Sequence, residues 1–120
     1  MRTCLAVLIA LCSYPSFAET ISCTKDFTMS STVGIKKGNN GNDHYLYVPG
    51  SLQEVFDGRT LWNYSIVSEN DDLIVGALRQ KKYPSDTQVV VLDRRNKTLM
   101  KTVVQGTLRL TMFGPCTFAR

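Results

Sequence analysis

The run Thr87-Gln88-Val89-Val90-Val91-Leu92-Asp93-Arg94-Arg95-Asn96-Lys97-Thr98-Leu99-Met100-Lys101-Thr102-Val103-Val104-Gln105-Gly106-Thr107-Leu108-Arg109-Leu110-Thr111-Met112-Phe113 holds three short apolar stretches divided by two polar breaks. Val, Leu and Thr dominate the stretches, and such side chains suit a pleated, half-buried surface. The breaks, Arg94-Arg95-Asn96-Lys97 and Gln105-Gly106-Thr107, are short and rich in turn formers, so they join neighbouring strands as hairpins. In the third stretch Leu108, Leu110 and Met112 alternate with Arg109 and Thr111, which buries one face and wets the other. Strands joined in this way form an antiparallel meander.

The same rhythm extends toward the N-terminus, with turn residues every eight to twelve positions and no stretch that holds helical spacing for long. Strands are predicted at 21–29, 44–48, 61–67, 73–79, 87–93, 98–104 and 108–113, with a short closing piece at 116–118. The fold class is therefore all-β: a small barrel or sandwich of about seven or eight strands. Residues 34–43 are rich in Gly and Asn and read as an exposed, mobile loop. In 49–58, Ser51 as a cap, Glu54 three residues on and Gly58 as a stop offer one helical turn.

The chain opens with Met1-Arg2-Thr3 and an uncharged run from Cys4 to Cys12, followed by Ser16-Phe17-Ala18. A positive start, a short apolar segment and small residues before a cleavage point describe a secretory signal peptide over 1–18. Ile9-Ala10-Leu11-Cys12 has the outline of a lipobox, although bulky Leu11 stands where a small residue is expected. Residues 19–120 then form a single β domain, periplasmic or extracellular, with no transmembrane segment in the mature chain.

Removal of the leader leaves Cys23 and Cys116, an even pair near opposite ends of the domain. In an oxidising compartment they are expected to bond and close a loop of about 93 residues. Loss of Arg2 with the leader takes the formal charge from +4 to about +3, an ordinary solubility charge that gives no ground for a nucleic-acid partner.

Chemistry is sparse. His44 is the single histidine, beside Asp43 and Tyr45, and no nucleophile elbow accompanies it. One histidine and a bonded cysteine pair cannot build a structural zinc site. The acids Glu69, Asp71 and Asp72 lack the spacing of a calcium loop, and the Gly34–Gly41 stretch lacks the Lys-Ser/Thr ending of a phosphate cradle. No catalytic residue, metal or cofactor is expected.

Candidate binding residues fall in two groups. Cations cluster at Arg79, Lys81 and Lys82 and again at Arg94, Arg95 and Lys97, where they either meet an anionic partner or protect strand ends from aggregation. Aromatics pair on strand faces as Tyr45 with Tyr47 and Trp62 with Tyr64, as contact anchors or as core. Asn63-Tyr64-Ser65 and Asn96-Lys97-Thr98 are sequons.

The C-terminal half, with Val89-Val90-Val91-Leu92-Asp93-Arg94, then Thr98-Leu99 and finally Gly114-Pro115-Cys116, resembles small exported bacterial β proteins that pair an early cysteine with a terminal one. That resemblance implies a periplasmic β domain with no assigned activity. Size, leader and cysteine placement are also similar to the membrane-bound lysozyme inhibitors, but the Ser-Gly and Tyr-rich inhibitory segment of that family is missing. The expected function is a non-enzymatic binding or inhibitor-like module for an unknown protein or an anionic envelope ligand. A lipocalin-like carrier and a small hydrolytic enzyme using His44 with Asp43 or Tyr45 are the alternatives.

Overall fold

A computed structural model describes residues 18–31, 34–79 and 86–120. The expected leader up to Phe17, the lipobox outline at Cys12, and Lys81 and Lys82 lie outside the described residues. Eight strands follow one another: β1 (Glu19–Ser31), β2 (Gly34–Val48), β3 (Ser51–Phe56), β4 (Arg59–Glu69), β5 (Leu73–Arg79), β6 (Thr87–Asp93), β7 (Thr98–Gln105) and β8 (Leu108–Ala119). Each pairs antiparallel with the next, and β8 returns to β1, so the meander closes into a barrel.

Closure explains why the hydrophobic alternation is so regular. In a closed barrel every second residue of every strand points into the lumen. Ile21, Tyr45, Leu52, Ile74, Val90, Leu92 and Leu99 do so and are almost wholly buried. Burial of each large aliphatic side chain is worth about 1.5–3 kcal/mol. Gly76 leaves room for the bulkiest of their neighbours: a Cβ there would lie 2.9 Å from both the Leu52 Cδ2 and the Tyr64 Cβ.

Three sequence expectations are corrected. Residues 34–43 are the first part of β2, paired with β1 from Ser31 opposite Gly34 to Cys23 opposite Asp43. Gly41, at φ 78°, sits in a bulge, where β2 carries one residue more than β1 between the Thr24 and Asp26 pairings. Ser51–Phe56 is a strand, since tight turns flank it and Leu52 and Glu54 share the inward face. Its second turn, Asp57-Gly58, has positive φ at both residues (53° and 74°), the signature of the hairpin turn whose twist matches the strands.

The third correction concerns the C-terminus, where the strand runs unbroken through Gly114-Pro115 as β8. Only glycine fits at 114, because a Cβ would come 1.8 Å from the Thr24 carbonyl oxygen on β1.

Cys23 and Cys116 stand opposite each other on β1 and β8 with Cα atoms 4.0 Å apart, and they are disulfide-bonded. The bond therefore crosses the seam at which the barrel closes. No helix among the described residues is long and apolar enough to cross a membrane. The disulfide and that absence are compatible with an exported protein.

Candidate functional site

Alternation gathers four charged side chains into one cluster inside the barrel: Lys25, Asp43, Glu54 and Lys101, each 4–7% exposed. Lys25 Nζ donates to Asp43 Oδ1, and Tyr45 donates to Asp43 Oδ2 at 2.8 Å. Lys101 Nζ links the two carboxylates, reaching Glu54 Oε1 at 2.9 Å and Asp43 Oδ2 at 3.3 Å. Tyr64 donates to Glu54 Oε1 at 2.8 Å, with Gln88 Oε1 3.3 Å away. Two cations and two anions cancel, and mutual hydrogen bonds offset the desolvation that burial imposes.

The ionisation of the cluster follows from that arrangement. Burial pushes the Asp43 carboxyl up, but the charge of Lys101 and the charge and hydrogen bond of Lys25 outweigh it, so Asp43 stays below its ordinary value. Burial and the nearby Asp43 and Glu54 carboxylates raise the Tyr45 and Tyr64 phenols well above the usual tyrosine value. Both hydroxyls are therefore fixed as neutral donors.

A second polar set lies toward the end of the barrel that holds both termini. Arg94 pairs with Glu19, and its guanidinium lies 5.2 Å from the Tyr47 ring centre. Tyr47 donates to Glu69 Oε1 at 2.6 Å, and the Gly50 N–H also reaches Glu69 at 3.0 Å. Burial and the Glu69 carboxylate push the Tyr47 phenol up to about 12.

The sequence-predicted residues divide accordingly. Tyr45, Tyr47 and Tyr64 are lumen residues rather than surface anchors, and Trp62 packs half-buried against the same core. Arg79 ends β5, whereas Arg94, Arg95 and Lys97 form the β6–β7 turn at the opposite end, so these cations do not make one patch. Arg95 pairs with Asp72 in solvent, and Lys97 holds a left-handed turn position at φ 55°. Asn63 accepts a hydrogen bond from Gln53, while Asn96 is tied to Asp93 through both its backbone and its side chain.

The lumen ions escaped the sequence reading although a signal existed. Lys25 follows the parity of Ile21 and Cys23, and Lys101 sits between Leu99 and Val103. A charge on the apolar parity of a strand marks a buried partner.

His44 faces outward, as strand alternation requires when Asp43 and Tyr45 face the lumen. The pairing of His44 with either neighbour, on which the enzymatic alternative relied, is thus not made. Its hydrogen-bond partner is Ser22, directly opposite on β1, with Oγ 3.0 Å from His44 Nδ1. Thr117 on β8 stands opposite Ser22 on the other side. Ser22, Thr24, Asn42, His44 and Thr117 line a surface groove of about 310 Å³ over the β8–β1–β2 seam, with the disulfide beside them. Among the described residues no group of three or more His, Cys, Asp or Glu side chains is arranged to hold a metal ion.

No family model, curated protein or solved structure matches the chain.

Proposed function

We propose that the protein is an exported, non-enzymatic binding module that engages its partner through the outer groove over the disulfide seam. The observation that carries this reading is the state of the lumen. An eight-stranded barrel interior is just wide enough to be filled by side chains or to hold one small ligand. Here it is occupied by the Lys25–Asp43–Lys101–Glu54 network, the tyrosine rings and the aliphatic core. Recognition then falls to the outside, where the groove offers hydroxyl, amide and imidazole groups on three adjacent, covalently joined strands.

Such a surface is preorganised: its backbone is held by ladder hydrogen bonds and one disulfide, so little entropy is lost when a partner binds. The test is capture from envelope extract by the purified, oxidised protein, run beside Ser22→Arg, which fills the groove. A discrete partner that disappears with Ser22→Arg supports the reading; a partner held equally by both proteins contradicts it. Co-purification of a lipid in native mass spectrometry would instead favour a carrier.

The Ser22–His44 hydrogen bond favours one second reading, a serine hydrolase-like site with His44 as base. Covalent labelling of Ser22 by a fluorophosphonate, abolished in His44→Ala, would support it. An unlabelled Ser22 leaves the binding module standing.

A further inference from the structure

The two rims of the barrel differ in charge. The rim that carries the termini and the β2–β3, β4–β5 and β6–β7 turns is mixed, with Arg94 paired to Glu19 and Arg95 to Asp72. At the other rim Lys36 and Lys37 lie near the tip of the β1–β2 hairpin, Arg59 begins β4, Arg79 ends β5, and Arg109 stands beside the β7–β8 turn. All five are exposed, and among the described residues none of them takes part in an ion pair. Among the described residues the strand ends and turns there carry two acids, Asp57 and Asp86.

The same rim exposes large apolar side chains: Ile35 is 71% exposed next to Lys36, and Phe56 is 59% exposed three residues before Arg59. Cations at strand ends by themselves protect edges from aggregation. Protruding Phe and Ile among them add a feature that this role does not need.

From this we infer that the rim docks the protein onto an anionic phospholipid bilayer, with the lysines and arginines at the headgroups and Phe56 and Ile35 entering the interface. Charge complementarity selects the anionic surface. The apolar side chains select a bilayer over a purely polar polyanion, which would leave both in water. The groove lies on the barrel wall over the seam, so this inference stands or falls separately from the binding role proposed for it.

A basic residue near an anionic membrane is worth about fivefold in affinity, and the attraction is screened by salt. Vesicles of phosphatidylcholine alone and of phosphatidylcholine mixed with phosphatidylglycerol are the probes, read by co-sedimentation of the purified, oxidised protein. Binding to the mixed vesicles only, weakened by salt, is expected. Lys36→Glu/Lys37→Glu/Arg59→Glu should lower it by about 100-fold or more. Arg95→Glu/Lys97→Glu/Arg120→Glu, an equal charge change away from this rim, should lower it far less, and Phe56→Ser should weaken it with no change of charge. All variants must keep the parental unfolding midpoint, which their exposed positions allow. Absence of binding, equal binding to both vesicles, equal loss in the two triple variants, or indifference to Phe56→Ser with equal retention on immobilised heparin would each overturn the inference.

Discussion

Replacement of Lys101 by Met tests the lumen network most sharply. Met matches the length of the lysine stem, so the barrel loses little packing but loses the ammonium that joins Glu54 Oε1 at 2.9 Å to Asp43 Oδ2 at 3.3 Å. Asp43 keeps Lys25 and Tyr45, whereas Glu54 keeps the Tyr64 hydroxyl and has no cation left. Breaking a buried ion pair by removing one partner costs about 3–5 kcal/mol, because the surviving charge stays desolvated. Against a total stability of about 5–15 kcal/mol for a domain, that is a large fraction. With a urea slope of about 1–3 kcal/mol/M, the unfolding midpoint should fall by about 2 M.

Adding Glu54→Gln restores charge balance while keeping an acceptor for Tyr64. The double variant should therefore recover about 1–3 kcal/mol relative to Lys101→Met alone. Equilibrium unfolding followed by circular dichroism gives both numbers. A Lys101→Met midpoint within experimental error of the parent, or a double variant less stable than the single one by the full cost of Glu54→Gln, would refute a buried and balanced network.

Asp43 should make stability fall in acid. Its native carboxyl lies below the ordinary value, so its contribution is complete above the unfolded pKa of about 3.9 and is lost as pH drops through the depressed native value; Asp43→Asn should flatten that limb of a stability–pH curve. The alkaline limb runs the other way: Tyr45 and Tyr64 are raised, so their contribution is present below about pH 10 and lost above it. The phenolate absorbance that Tyr45 and Tyr64 supply, read as the difference from Tyr45→Phe/Tyr64→Phe, should consequently rise together with unfolding rather than before it. Gly114→Ala forces a methyl to 1.8 Å from the Thr24 carbonyl oxygen and should cost about 3 kcal/mol or more in urea unfolding, more than Gly76→Ala, which meets side chains only. Reduction of Cys23–Cys116 releases a loop of 93 residues and should lower stability by about 4 kcal/mol, measured as the midpoint difference between oxidised and reduced protein.

The meander was legible from residue 61 onward because each strand there carries its own alternation and each break its own turn chemistry. Strands 61–67, 73–79, 87–93 and 98–104 agree with β4 to β7 to within a few residues at each end. The signal failed where the side chains report on something other than local propensity. Gly and Asn in β2 imply a loop, yet the segment pairs along β1, and the positive φ of Gly41 serves a bulge in it. Ser51 and Glu54 imply a cap, but the six residues between the two tight turns pair with β2 on one side and β4 on the other, which holds them extended.

The end-to-end cysteine pairing followed from counting the thiols that remain after the expected leader, and the structure shows the bond. The site was less readable. Whether Tyr45 lies inside or outside is settled only by barrel closure, and the Ser22–His44 contact depends on a cross-strand register that no local pattern encodes. Lys25 and Lys101 were visible as charges on apolar parity, and that rule would have located the network.

The lumen and the groove both require β8 to close onto β1. Amide hydrogen exchange of the oxidised protein measures that contact directly, because seam amides in a closed barrel are hydrogen-bonded on both sides of the closure. The amides of β1 and β8 around Ile21, Cys23, Phe118 and Thr117 that face across the seam should exchange as slowly as those of the β6–β7 pair. Rapid exchange of every second amide along both β1 and β8, those left unpaired at the two free edges of an open sheet, would contradict closure.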